Sequence, residues 1–141
     1  MRALNIHHIG HAVNDLDVAI ATYAEMFGGR LEHRQTVPEQ GVEAATMLLG
    51  SDRVELLRPL GADTPVGRFI ERRGPGMHHL ALEVDDIERA LADAAATGAE
   101  LIDPEPRSGL FGWRVAFIHP HSVDGVLVEL VQLPEWSEQH G

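Results

Sequence analysis

The sequence predicts an α+β fold built from two similar halves, each ordered strand, helix, strand, strand, strand. Three observations support this. The stretch HHIGHAVNDLDVAI at residues 7–20 returns as HHLALEVDDIERAL at residues 78–91. Each copy changes from a strand-like pattern to helical spacing of its apolar residues. Between the copies, VGRFIERR at residues 66–73 is predicted to form a linking helix. Internal duplication explains why the line recurs.

The first half is predicted to contain one helix and four strands. Helical spacing begins after Asp15, a typical N-cap residue, and Gly28 is placed to end the helix. Pro38 to Gly41, in the sequence PEQG, are expected to form a turn. The strands are predicted at residues 4–13, 30–37, 42–50 and 52–60.

The second half repeats this order. Its helix is predicted at residues 85–97 and ends at Gly98. DPEPRSGLFG, residues 103–112, is rich in proline and glycine and is expected to be a loop. The strands are predicted at residues 77–84, 99–102, 113–120 and 125–133.

Length and composition are those of one small globular unit. We expect a single domain over residues 1–141, with a first module at about 4–60, the linking helix at about 63–73 and a second module at about 77–133. The net charge of −11 argues against nucleic acid or an anionic membrane surface as partner. No apolar run is long enough to span a membrane and no export signal is visible, so we expect a cytoplasmic protein.

Missing residue types exclude some chemistry. The chain contains no cysteine, which removes thiolate metal ligands and cysteine nucleophiles. All eleven basic residues are arginine, which removes Schiff-base chemistry on a lysine.

Two histidines and two glutamates form a matched set. Because side chains alternate along a strand, His8 shares a face with Gly10, and His79 shares a face with Ala81. Each half also ends in an apolar strand with one carboxylate, Glu55 in VELL and Glu129 in VLVELV. A carboxylate in such a run is costly to bury unless it is paired or bound to a cation.

This donor set suits one divalent ion. Two imidazole nitrogens and two carboxylate oxygens fit Co²⁺, Mn²⁺, Ni²⁺, Zn²⁺ or Fe²⁺, and would leave two octahedral positions for a bidentate substrate. The alternative is structural: a single histidine on a strand is commonly a hydrogen-bonded core residue, and a single glutamate commonly faces solvent. The remaining histidines are predicted to have packing or surface roles, namely His7, His11, His33, His78, His119, His121 and His140.

These residues resemble the vicinal oxygen chelate superfamily, which includes glyoxalase I, extradiol dioxygenases and antibiotic-binding proteins. The closest resemblance, over nearly the whole chain, is to the methylmalonyl-CoA epimerases. It is carried by HHIGHAV, PEQG, VELLRPL, MHHLA and RVAFIHPHSVDGVLVELVQ. The resemblance implies two βαβββ modules in a cupped, eight-stranded mixed sheet around one metal ion. The ligands it implies are His8, Glu55, His79 and Glu129.

The resemblance also implies a reaction. A 2-alkylmalonyl-CoA thioester, methylmalonyl-CoA first, would lose its C2 proton to give a metal-stabilised enolate and regain a proton on the other face. Glu129 is the first candidate for the base, and Gln40 and Arg114 for substrate contacts. A homodimer is the default expectation for such modules.

The chain departs from this pattern at the position of a second glutamate. Some epimerases carry a second glutamate three residues after the glycine of EQG, where this chain has Ala44. The second proton carrier is therefore open among Glu43 after a register change, Glu39 and a metal-bound water. Two other functions compete: a glyoxalase I-like lactoylglutathione lyase with the same ligands, and a non-enzymatic small-molecule-binding protein of the same fold.

Overall fold

The computed structural model describes residues 1–134; His140 and the rest of the tail lie outside these residues. Three α-helices occur in this part of the chain: α1 (Leu16–Phe27), α2 (Pro65–Arg73) and α3 (Ile87–Ala96). The strands in the same residues are β1 (Asn5–Ala12), β2 (Arg30–Val37), β3 (Val42–Leu49), β4 (Asp52–Pro59), β5 (Gly76–Glu83), β6 (Arg107–Ser108), β7 (Arg114–Ile118) and β8 (Val128–Gln132). This confirms the α+β class.

The strands form a mixed sheet whose order is β2-β3-β4-β1 in the first half of the chain and β5-β8-β7-β6 in the second half. Strand β1 runs parallel to β4, and β5 runs parallel to β8. The pairs β2-β3, β3-β4, β6-β7 and β7-β8 are antiparallel. The chain divides into two compact units, residues 8–78 and residues 1–7 with the chain from residue 79 onward. The module boundaries given above stay predictions.

In the unit of residues 8–78, α1 begins and ends where the sequence predicts. The Asp15 carboxylate accepts a hydrogen bond from the Val18 amide at 3.0 Å, and Gly28 ends the helix in the left-handed conformation at φ 68°. The helix packs on β3 and β4 through an apolar cluster of Val13, Leu16, Ala45, Met47 and Leu56. This packing fixes which face of β3 and β4 is turned towards α1.

Leu56 gives a direct test of this cluster, because its side chain is completely buried. We expect Leu56→Ala to lower the free energy of unfolding by about 2–5 kcal/mol, since it removes buried methyl groups and leaves a cavity. Urea unfolding followed by circular dichroism measures the change. The exposed Leu60→Ala is the control and should cost far less; equal losses would contradict this description of the core.

The unit that contains α3 is built in the same way. The Asp86 carboxylate accepts a hydrogen bond from the Arg89 amide at 3.1 Å and so begins the helix. Helix α3 covers one face of β7 and β8, and the core there consists of Val84, Ile87, Ala90, Leu91, Ala94, Ala116, Ile118, Val128 and Leu130.

The prediction was wrong between residues 99 and 112. The expected strand at 99–102 is reduced to a single bridge between Leu101 and Ile118, and strand β6 lies inside the expected loop. The reason is Asp103: its carboxylate, in place of a main-chain carbonyl, accepts the Phe117 amide at 2.9 Å. Main-chain bonds from Ile102 and Asp103 to the Phe117 carbonyl remain, but the side chain takes the place of the main-chain acceptor, and regular pairing resumes only where Arg107 pairs with Val115.

Among residues 1–134, no helix combines the length and the apolarity that a membrane crossing needs.

Candidate metal centre

In the unit of residues 8–78, His8 and Glu55 lie on one face of the sheet. The parallel register places Gly10 beside Glu55, so Glu55 lies on the face of His8 and away from α1. Both side chains are buried, at 1% and 5% exposure. The His8 Nε2 atom lies 3.6 Å from a Glu55 carboxylate oxygen.

The other unit repeats this arrangement with His79 and Glu129. Here Ala81 is the residue beside Glu129 in the parallel register. His79 and Glu129 are also buried, and the His79 Nε2 atom lies 3.3 Å from a Glu129 carboxylate oxygen. In both units the small residue two positions after the histidine lies directly beside the glutamate, which leaves room for the imidazole.

The donor set fits a divalent ion. In each unit the buried pair offers one imidazole nitrogen and one carboxylate oxygen, His8 with Glu55 and His79 with Glu129. Imidazole and carboxylate are ligands of intermediate hardness, and a divalent cation would compensate for carboxylates that burial otherwise disfavours.

Glu55 has a polar neighbourhood on its own face. Across the β3-β4 ladder it is paired with Thr46, which is completely buried. The Thr46 hydroxyl donates to Glu32 at 3.0 Å, and the Arg53 guanidinium donates to both Glu32 oxygens at 2.7 and 2.9 Å. The guanidinium lowers the pKa of Glu32 below its usual value. Glu32 therefore fixes Arg53 and Thr46, two neighbours of Glu55.

This network predicts a pH-dependent contribution to stability. A lowered pKa in the folded protein means that the ionised Glu32 stabilises the fold above its ordinary pKa of about 4.3, and that this stabilisation is lost as the pH falls through the folded value. We expect Glu32→Gln to lower the free energy of unfolding at pH 7 by about 1 kcal/mol, a charged hydrogen-bond contribution reduced by partial exposure to water. Urea unfolding of the wild type and the variant, at pH 7 and below pH 4, checks this. A difference in unfolding free energy between the two proteins that does not shrink in acid would contradict it.

Glu43 lies on the face of the sheet that carries α1. It is paired with Arg58 across the β3-β4 ladder and has the parity of Ala45 and Met47, which pack against α1. Its carboxylate accepts hydrogen bonds from Arg34 at 3.0 Å and from Arg58 at 3.2 Å, and the Arg34 guanidinium lowers the pKa of Glu43. Ala44 faces the same side as Glu55 and is fully buried. Glu43 is thus turned away from Glu55.

The two predicted substrate contacts have different surroundings. Gln40 is half-buried in the short 3₁₀ turn Pro38–Gln40. Arg114 has the strand parity of Ala116 and Ile118, so it lies on the α3 face of β7 and its guanidinium donates to Glu88 at 2.7 Å. Glu129 lies on the opposite face of the same sheet, because its neighbours Val128 and Leu130 pack in the α3 core. Their roles as substrate contacts stay predictions.

Several other histidines have aromatic or polar neighbours. His7 meets Trp113 edge-on, and His78 meets Phe69 in the same way. His11 shares a 2.8 Å hydrogen bond with the Tyr23 hydroxyl. His119 accepts the His121 amide at 3.0 Å and lies 3.5 Å from Glu100.

Two neighbours of the candidate ligands were not predicted from the sequence. Thr46 is paired with Glu55, and Phe117 is paired with Glu129. The alternation along each strand was visible, but these pairings depend on the register between strands, for which the sequence carried no usable signal.

Comparisons with known proteins show the family of this chain. The model of the glyoxalase/bleomycin resistance protein/dioxygenase superfamily matches residues 7–117. The human mitochondrial methylmalonyl-CoA epimerase is 38% identical over 128 residues, 90% of this chain and 73% of that protein. The ethylmalonyl-CoA/methylmalonyl-CoA epimerase of Cereibacter sphaeroides is 36% identical, covering 91% and 97%.

A solved structure gives the same result. A methylmalonyl-CoA epimerase in complex with methylmalonyl-CoA and NH4+ matches with a TM-score of 0.90 and 34% identity, covering 93% of this chain and 95% of that one. The chain therefore belongs to the glyoxalase/bleomycin resistance protein/dioxygenase superfamily and, within it, to the family of methylmalonyl-CoA epimerases.

Proposed function

We propose that this protein is a metal-dependent epimerase of 2-alkylmalonyl-CoA thioesters, with methylmalonyl-CoA as the first substrate. The observation that carries the proposal is the duplicated, buried His–Glu pair, His8 with Glu55 and His79 with Glu129. These four side chains would hold one divalent ion. Similarity to epimerases that act on methylmalonyl-CoA, one of them named also for ethylmalonyl-CoA, supports the choice of substrate.

The proposed substrate suits a site that holds a divalent ion. A malonyl thioester carries a carboxylate on one side of C2 and a thioester carbonyl on the other. One oxygen of each group could therefore chelate a divalent ion. The ion, when bound, would supply Lewis-acid polarisation of the thioester oxygen. All four side chains are buried, and a site with little water would strengthen this polarisation.

Glu129 would move the proton. One of its carboxylate oxygens lies beside His79, and the proposed role of the carboxylate is to accept the C2 proton of the substrate. The carbanion that remains is a planar enolate, which no longer records the configuration of C2. A proton returned to the opposite face gives the other epimer.

The contacts of Glu43 argue against it as the second proton carrier. Its carboxylate is held by two arginines on the face that carries α1. Ala44, on the Glu55 face, has no proton to offer. These contacts favour the exposed Glu39 or a water molecule as the second carrier.

The decisive experiment is proton exchange at C2. One epimer of methylmalonyl-CoA, incubated in D₂O with the metal-loaded protein, should take up deuterium at C2 and lose its optical purity. The control is the same metal without protein, and exchange no faster than this control would overturn the proposal. Turnover of methylglyoxal with glutathione instead would favour a glyoxalase. The predicted homodimer and cytoplasmic location are checked separately, by light scattering and cell fractionation.

A further inference from the structure

Phe117 lies directly across the sheet from Glu129. The antiparallel register of β7 and β8 pairs the two residues, and side chains paired in this way lie on one face with Cβ atoms about 4.5–5.5 Å apart. Its strand neighbours Ala116 and Ile118 belong to the core under α3, so the Phe117 ring points to the other face. The ring is partly exposed and meets His79 edge-on, with centroids 5.6 Å apart.

The main chain of Phe117 is fixed on its outer edge. Its amide donates to the Asp103 carboxylate at 2.9 Å, and its carbonyl accepts the Ile102 and Asp103 amides at 2.9 and 3.2 Å. Asp103 is held in turn by Arg107 at 3.3 Å. The strand that carries the ring is therefore hydrogen-bonded along both edges. These bonds hold the main chain of Phe117 in place beside Glu129.

The other neighbours of the candidate carboxylates are small or polar. On the β5 side of Glu129 the paired residue is Ala81. In the unit of residues 8–78, the position across from Glu55 is taken by Thr46, whose hydroxyl donates to Glu32. Of the four residues paired with Glu55 and Glu129 in these ladders, Phe117 is the one with a large apolar side chain.

We propose that the Phe117 ring determines the size of the C2 alkyl group that the enzyme accepts. This inference rests on the proposed function. If Glu129 takes the C2 proton, C2 lies at hydrogen-bond range from its carboxylate. The alkyl group on that same carbon then lies within reach of the residue across the strand. A methyl group fits beside the edge of the ring, whereas a longer alkyl group clashes with it.

The test compares two thioesters in one variant. We expect Phe117→Leu to raise the ratio of kcat/KM for ethylmalonyl-CoA to that for methylmalonyl-CoA about tenfold, the range for one methylene group in an apolar pocket. Affinity for Co²⁺ is measured in the same variant, because the ring also contacts His79. The matched control is Phe69→Leu, which removes another ring that meets a histidine, His78, and should leave the ratio unchanged.

Each outcome decides the inference. An unchanged ratio in Phe117→Leu overturns it, and so does an equal loss on both thioesters, which would mark the ring as structural support. Should that variant fail to fold, kcat/KM of the wild type is measured for the methylmalonyl, ethylmalonyl and propylmalonyl thioesters. A steep fall of kcat/KM along this series supports the inference, and equal values overturn it. Absence of exchange with every thioester would overturn the proposed function, and this inference with it.

Discussion

Replacing Glu129 by glutamine should lower the rate of C2 deuterium exchange by about 10²–10⁴-fold, the usual contribution of a positioned proton-transfer group. Glutamine has nearly the same shape and can still offer an oxygen atom to a cation, but its amide accepts no proton at neutral pH. The fold should be retained, because the carboxylate lies on the sheet face opposite to the α3 core. Exchange is measured by mass spectrometry or proton NMR.

The duplication supplies a matched control. Glu55→Gln makes the same change at the equivalent position of the other unit, beside His8 at a similar distance. If Glu55 serves only as a ligand, its replacement should weaken metal binding and cost about tenfold in exchange at saturating metal. The difference between the two variants then measures proton transfer separately from metal binding. Equal losses in the two variants would contradict the assignment of Glu129 as the base.

Replacing His79 by alanine should weaken the binding of Co²⁺ by more than about 100-fold, since even residues that only support metal ligands contribute 10–100-fold. His79 is buried and its Nε2 atom lies 3.3 Å from a Glu129 oxygen, so the substitution removes one donor atom of the proposed site. Isothermal titration with Co²⁺ measures the affinity. The thermal stabilisation by Co²⁺ should be lost in parallel, because a ligand at 100 times its Kd stabilises a fold by about 2.7 kcal/mol.

The adjacent histidine is the control for this variant. His78 lies on the opposite side of strand β5 by alternation and meets Phe69 of α2. His78→Ala should therefore bind Co²⁺ with the affinity of the wild type. Loss of Co²⁺ binding in His78→Ala, or its retention in His79→Ala, would show that His79 is the wrong choice of metal ligand on strand β5.

Much of the fold follows from local patterns in the sequence. Helices α1 and α3 begin at Asp15 and Asp86 because a carboxylate at that position satisfies free amides of the first turn. The alternation of side chains along β1 is enough to place His7 and His8 on opposite faces of the strand. Helix starts and strand faces depend on neighbouring residues, so they can be predicted from the sequence alone.

What the sequence could not give depends on contacts between distant segments. The Asp103 carboxylate takes the place of one main-chain acceptor at the edge of β7, and nothing in AELIDPEP indicates that it reaches Phe117. The location of Arg114 on the α3 face depends on how α3 packs on β7. The pairing of Thr46 with Glu55 and of Phe117 with Glu129 depends on strand register. The four-ligand metal centre itself stays a prediction.

The most direct test of that centre is a titration of metal-depleted protein with Co²⁺, with C2 exchange of methylmalonyl-CoA as the readout. We predict no exchange above background without metal, a linear rise with added Co²⁺, and a plateau at about one ion per chain. Full exchange in the presence of a strong chelator, or a plateau at two or more ions per chain, would contradict a single catalytic ion held by His8, Glu55, His79 and Glu129.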